Sequence, residues 1–261
     1  MKNVLLLLAG LSVPAAAHTV TARFVTPQGT FTKAVSAAEG SQARFVGQVE
    51  GRRMILVAVV VRKDGVLSLE YQAELSSLDG SRSIQVQSAV GLPAGGAIAA
   101  ADCGAWSLEL ALDGKPKGGA ASKGAWDGGT ARNRRVTADV ETSRERRRCR
   151  AAYIPGSQTN IVDGGADGTR RYGFILNLMP SWKNGAEHVE YQMESSPRGG
   201  GTVQGLGNVD LPLGRRGASR GDGYKIAWLM EGEPPPAAPV PAAAAPAAAS
   251  PDSTGAVPLL R

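Results

Sequence analysis

After residue 20 the apolar residues fall in short runs or alternate with polar ones, and helical spacing is almost missing, so the chain predicts strands. Met54 to Val61 is a continuous apolar, β-branched run, the pattern of a buried central strand. Lys63, Asp64 and Gly65 come next, and Val66 to Tyr71 begins a second strand. An Asp-Gly pair between two apolar runs is a hairpin turn, because both central residues of a type I′ turn need positive φ. Asp79 and Gly80 turn again into Ser83–Val90, where Ile84, Val86 and Ser88 alternate with Gln85, Gln87 and Ala89. Trp106 to Leu112 alternates as well, and shorter strands are expected near Val20, Phe31 and Ala43.

The same order of signals then repeats. Gly40-Ser41-Gln42, Arg52-Arg53, Lys63-Asp64-Gly65, Glu70-Tyr71-Gln72, Leu92-Pro93, Trp106 and Asp113-Gly114 return as Gly156-Ser157-Gln158, Arg170-Arg171, Lys183-Asn184-Gly185, Glu190-Tyr191-Gln192, Leu211-Pro212, Tyr224 and Glu231-Gly232. One match would be chance; a whole series in register is an internal duplication. About seven strands per copy, with turn signals every 8–12 residues, predict an all-β chain of two tandem antiparallel β-sandwich domains of immunoglobulin-like type. The expected boundaries are 18–114 and 132–232, joined by a Gly/Ala/Lys-rich linker at 115–131. A single intertwined structure with strands exchanged between the copies is the competing arrangement.

The two ends have a different character. Lys2, the apolar run Val4–Leu11 and the small residues Ala15 to Ala17 follow the order of a secretory signal peptide, expected to span 1–17. No Cys follows the apolar run, so no lipid anchor is expected there, and no later stretch is long and apolar enough for a transmembrane helix. The expected destination is the periplasm or the medium. From Glu233 the chain becomes Pro- and Ala-rich to its end at Arg261, a composition that builds no core and predicts a disordered or polyproline-like tail over 233–261.

Export changes how the two cysteines are read. Cys103 and Cys149 are expected to form one disulfide across the linker. No Cys-x-x-Cys pair points to redox catalysis. The charge is +6, and +5 once residues 1–17 and their single Lys2 are removed. Arg132, Arg134, Arg135, Arg144, Arg146, Arg147, Arg148 and Arg150 concentrate it, and are the candidate surface for an anionic glycan or an envelope protein. The plainer reading is a solvated edge strand charged against aggregation. Nucleic acid is disfavoured by export and by the lack of interleaved aromatic residues.

Candidate chemistry is sparse. His18 would become the N-terminus if cleavage followed Ala17, and an N-terminal His offers its amine and imidazole as a copper chelate. At that one residue the chain resembles copper-binding CopC-like proteins and copper polysaccharide monooxygenases, which implies copper as the alternative cofactor. The only other histidine is His188. No Gly-x-Ser-x-Gly elbow surrounds a serine. Glu70 and Glu190 are repeated with the fold, which favours a structural role over a catalytic pair, though a carbohydrate-active enzyme is a further alternative.

Within each copy, Gly-Ser-Gln, a buried strand, a Lys-Asp/Asn-Gly turn, a second strand and Val-x-Leu-Pro-x-Gly resemble the strand–turn rhythm of the β-domain of bacterial outer-membrane secretins. The resemblance covers roughly 60 residues per copy. The chain departs from that family in being duplicated and in lacking long membrane-inserting strands. The resemblance implies an envelope setting and a β-mediated assembly role, and no site residues. The reading as a whole is an exported, non-enzymatic binding or structural protein with no cofactor.

Overall fold

The computed structural model describes residues 16–63, 65–116 and 133–232. The expected tail, most of the linker and nearly all of the expected signal peptide lie outside them, as does Arg132. Among the described residues sixteen strands form, and the first copy gives β1 (Ala17–Thr26), β2 (Gly29–Ala38), β3 (Gln42–Val49), β4 (Arg52–Lys63), β5 (Val66–Ser77), β6 (Ser83–Gly91), β7 (Ala97–Cys103) and β8 (Trp106–Leu112). The second copy gives β9 (Arg134–Thr142), β10 (Arg146–Tyr153), β11 (Thr159–Asp167), β12 (Arg170–Lys183), β13 (Ala186–Ser196), β14 (Val203–Leu211), β15 (Arg216–Gly221) and β16 (Tyr224–Gly232). Eight strands per copy replace the expected seven. The extra one is β7, whose Ala-rich sequence carries no alternation in size.

The strands make two antiparallel sheets of eight. The first runs β15-β16-β9-β10-β7-β8-β1-β2 and the second β14-β13-β12-β11-β6-β5-β4-β3. Each copy thus places its first two and last two strands in one sheet and its middle four in the other. The copies do not stand as separate sandwiches. They share both sheets, joined edge to edge where β7 meets β10 and β6 meets β11. Nor are strands exchanged: within each half, every strand neighbours strands of its own copy, and the second half follows the first head to tail.

The duplicated sequence signals mark duplicated turns. Asn184 and Gly185 both take positive φ, 52° and 80°, the type I′ geometry expected of the β12–β13 hairpin. Gly40 and Gly156 follow β2 and β10 at φ 77° and 84°, and the next amides, of Ser41 and Ser157, each donate to a carbonyl three residues back at 3.0 Å. After Pro93 and Pro212 the chain crosses back to the first sheet. There Gly95 donates to Leu112 O at 2.7 Å and Gly214 to Met230 O at 2.8 Å.

One continuous core fills the space between the sheets. In β4, Met54, Leu56, Ala58 and Val60 are all fully buried while the residues between them are only half-buried. The Tyr of each Glu-Tyr-Gln repeat, Tyr71 and Tyr191, packs inward, and Glu70 and Glu190 point to solvent. Among the described residues no helix is long and apolar enough to cross a membrane.

Candidate functional site

Strand alternation divides the arginine-rich stretch between two faces. Arg134 and Arg147 turn inward. Arg134 is 1% exposed, and Arg147 lies over the Phe174 ring at 5.1 Å and pairs with Asp163 at 2.9 Å and Glu145 at 3.1 Å. Arg135, Arg146, Arg148 and Arg150 sit on the outer face of the first sheet, and Arg144 lies in the β9–β10 turn. The eight residues read from sequence are therefore not one patch.

What the outer face does assemble is a shallow depression of about 170 Å3. Arg148 and Arg150 from β10, Arg135 from β9 and Arg216 from β15 line it. Carboxylates hold three of these side chains in place: Asp139 pairs with Arg148, Glu231 with Arg135 at 2.6 Å, and Asp102 with Arg150 at 2.8 Å. Burial raises the Asp102 carboxyl, and the hydrogen bond and charge of Arg150 oppose that rise. Arg216 meets no carboxylate among the described residues. Lys225 and Arg220 extend the same face, because β15 pairs with β16 in a register that sets Arg220 opposite Lys225. Arg216 and Arg220 were not legible as site residues; a polar, Gly-rich hexapeptide announces neither a strand nor its neighbours.

His18 is neither frayed nor free. It is the second residue of β1, opposite Ala37, and is 7% exposed. Its Nδ1 bonds Asp113 Oδ2 at 2.6 Å and its Nε2 bonds Glu39 Oε1 at 3.1 Å. An imidazole between two carboxylates is favoured in the cationic form, which can donate to both, and these two hydrogen bonds raise its pKa. Arg62, bonded to Glu39 Oε1 at 2.6 Å, and then His18 hold the Glu39 carboxyl down at about 2. Burial would raise Asp113, but hydrogen bonds from His18 and the Thr19 amide outweigh it and lower it.

The cluster latches the start of β1 to the residue after β8 and the corner after β2. A copper chelate through the amine and Nδ1 would have to displace Asp113, and the two ring nitrogens face opposite ways, so one ion cannot use both. His188 lies in the other sheet and the other copy, with Asp210 as its own carboxylate at 2.7 Å. The residues present do not fit a copper site. Among the described residues no group of three or more His, Cys, Asp and Glu is arranged to hold a metal ion.

The latch has a pH signature. The folded pKa of His18 lies above its unfolded value near 6.5, so the stability it contributes is fully present below that value and is lost as pH rises through the folded pKa. The wild-type chain is expected to lose stability on that alkaline flank, and His18→Ala to cost about 1–3 kcal/mol below it and flatten the profile. Urea unfolding across the pH range measures both.

Glu70 and Glu190 are carried by β5 and β13, four strand spacings apart in the second sheet. At about 4.8 Å per spacing that separates them by roughly 19 Å, about twice the widest span over which two carboxylates cleave a glycosidic bond. They are not an acid pair.

The second copy holds a buried ionic group that sequence reasoning missed. Arg134 Nε lies 3.9 Å from Glu187 Oε2, at 1% and 0% side-chain exposure, with Trp182 beside the guanidinium at 5.7 Å. Burial raises the Glu187 carboxyl against the opposing pull of Arg134, and Tyr153 beside it is pushed well above the usual phenol range, first by burial and then by the Glu187 charge. By register, Arg134 is the counterpart of His18 and Glu187 of Leu67. Cys103 and Cys149 are bonded to each other at the seam between the copies, as expected from the sequence.

Compared with known proteins, the chain matches no protein family, no characterised protein and no solved structure.

Proposed function

We propose that this chain is an exported, non-enzymatic binding or structural component of a bacterial envelope, and that it meets an anionic surface glycan through the outer face of its first sheet. The observation that carries this reading is the depression formed by Arg135, Arg148, Arg150 and Arg216. Guanidinium groups fixed by carboxylates on one side present their remaining donors in a defined direction, which suits sulfate, phosphate or carboxylate groups on a polymer. Among the described residues, eight cations on the strands of this face, Arg23, Arg135, Arg146, Arg148, Arg150, Arg216, Arg220 and Lys225, outnumber its five carboxylates, Asp102, Glu109, Asp139, Glu141 and Glu231. An acidic envelope protein is the alternative partner, recognised by the same chemistry.

The test is retention on heparin and on lipopolysaccharide, eluted with salt. Arg148→Ala with Arg216→Ala is expected to lower the salt needed for elution well beyond Arg170→Ala with Arg171→Ala, which removes the same charge from exposed positions of the other sheet. Equal shifts for the two pairs would mean that net charge alone binds, and would overturn the site.

A further inference from the structure

We propose that copies of this chain join head to tail, the edge formed by β14 and β15 of one copy pairing with the edge formed by β2 and β3 of the next. This goes beyond the glycan-binding reading and does not rest on it. The molecule already contains one such joint. At the internal seam β7 pairs with β10 and β6 with β11. By register, β15 is the counterpart of β7, β14 of β6, β2 of β10 and β3 of β11. Each end of the molecule therefore exposes the half of the joint that the other end lacks. A head-to-tail contact of this kind does not close on itself, so it continues from copy to copy.

The core shows the same thing in its burial. Val35, Ala43, Phe45, Val49, Val203, Val209 and Leu213 are the hydrophobic residues that pack on the core yet remain only partly buried. All of them lie at the two free ends. Five of their seven counterparts at the internal seam are covered: Ala151, Thr159 and Ile161 stand where Val35, Ala43 and Phe45 do, and Ile84 and Val90 where Val203 and Val209 do, all at 3% exposure or less, while Gly165 and Ala94, at the positions of Val49 and Leu213, are not buried. The core is thus more fully covered where two ends meet than at either free end, although β2 approaches β3 at one end and β14 approaches β15 at the other.

Two of the four large hydrophobics exposed among the described residues add to this. Val46 on β3 is 46% exposed and Leu206 on β14 is 82% exposed. In the register of the internal seam Val46 falls opposite Gln204 and Arg44 opposite Leu206, so Val46 and Leu206 become diagonal neighbours across the joint. On the other sheet Lys33 falls opposite Gly221 and Ala34 opposite Arg220, so no two cations are set face to face. The same correspondence leaves out the disulfide and the Arg150–Asp102 pair. The joint between copies is consequently reversible, whereas the internal one is stapled.

The experiment uses the chain with Arg44→Cys and Leu206→Cys, both on the free edge strands. No free cysteine competes with them among the described residues. Within one copy the two thiols are separated by seven strand spacings, roughly 34 Å, so they cannot join internally. Mild oxidation, or a short bis-maleimide, is expected to give a ladder of dimer, trimer and higher species from the double variant, and nothing beyond dimer from either single variant. In sedimentation velocity the wild-type chain is expected to grow with concentration, and Leu206→Lys to raise the concentration required by about tenfold or more.

A double variant that stays monomeric, or a wild-type chain that sediments as a monomer at every concentration, overturns the proposal. So does a monomer in which the thiol introduced by Leu206→Cys is shielded from small reagents, because another segment or another protein then covers that edge.

Discussion

Arg134→Leu is expected to destabilise the protein by about 3–5 kcal/mol, because it leaves the Glu187 carboxylate buried with no cation. Neither Glu187 oxygen has a hydrogen bond of good geometry among the described residues, and the neighbouring Tyr153 hydroxyl, whose hydrogen bond lowers the carboxyl, carries no charge to replace the guanidinium. Glu187→Leu alone strands the arginine instead, leaving it among the described residues the Trp182 ring at 5.7 Å and a long contact from Nη1 to the Asn133 carbonyl at 3.4 Å. The double variant Arg134→Leu, Glu187→Leu is expected to recover most of the loss. Hydrophobic replacement of a buried pair is often neutral, and the first copy already has Leu67 where the second has Glu187.

The single variant also acquires a pH dependence. Without Arg134 the carboxyl pKa climbs further above its unfolded value, so the folded state binds the extra proton. Stability then rises as pH falls through the folded pKa, and the gain saturates near the unfolded value. The penalty of Arg134→Leu should therefore be smaller at mildly acid pH than at neutrality. Urea titrations of the four proteins of this double-mutant cycle measure it. Equal, additive losses in the two single variants would mean that the residues do not act as a pair.

How much of this was legible in the sequence depends on what each signal rests upon. The hairpins were legible because a type I′ turn needs Asp-Gly or Asn-Gly locally, and Asn184-Gly185 obeys that need whatever surrounds it. The inward set of β6, Ile84, Val86 and Ser88, was legible because a half-buried strand must alternate. The joining of the two copies was not. In the first sheet it is made by β7 and β10, and a strand of Ala97, Ile98 and three further alanines has no polar face to read; in the second, nothing local pairs β6 with β11. The division of the arginines follows from a period of two, but which parity points inward depends on Cys149 and Ala151 facing the core. Arg216 reaches the same depression through β16 and β9, two strand pairings that no local pattern encodes. His18 looked like the end of a chain because its partners, Glu39 and Asp113, are set by the sheet and the corner and not by spacing.

Replacing Cys103 and Cys149 by alanine is expected to cost about 4 kcal/mol, the chain-entropy value for a closed loop of this length. Where the bond lies decides how that loss is expressed. The first sheet is joined across the seam by three residue pairs between β7 and β10, and the second by five between β6 and β11. Every other strand pair in the two sheets has a longer ladder. The disulfide therefore fastens the weakest ladder in the molecule, next to the Arg150–Asp102 pair that is its main polar support. Each half retains four strands in each sheet, enough to hold its own share of the core. Loss of the bond is expected to lower the melting temperature and also to broaden or split the transition, as the halves part before either unfolds. Calorimetry separates the cases. Amide exchange at Ala101 and Ala151, the last pair of the seam ladder, should speed up more than exchange at Leu56 or Leu176, deep inside each half. A single sharp transition at an unchanged temperature would mean that the shared core alone holds the halves together.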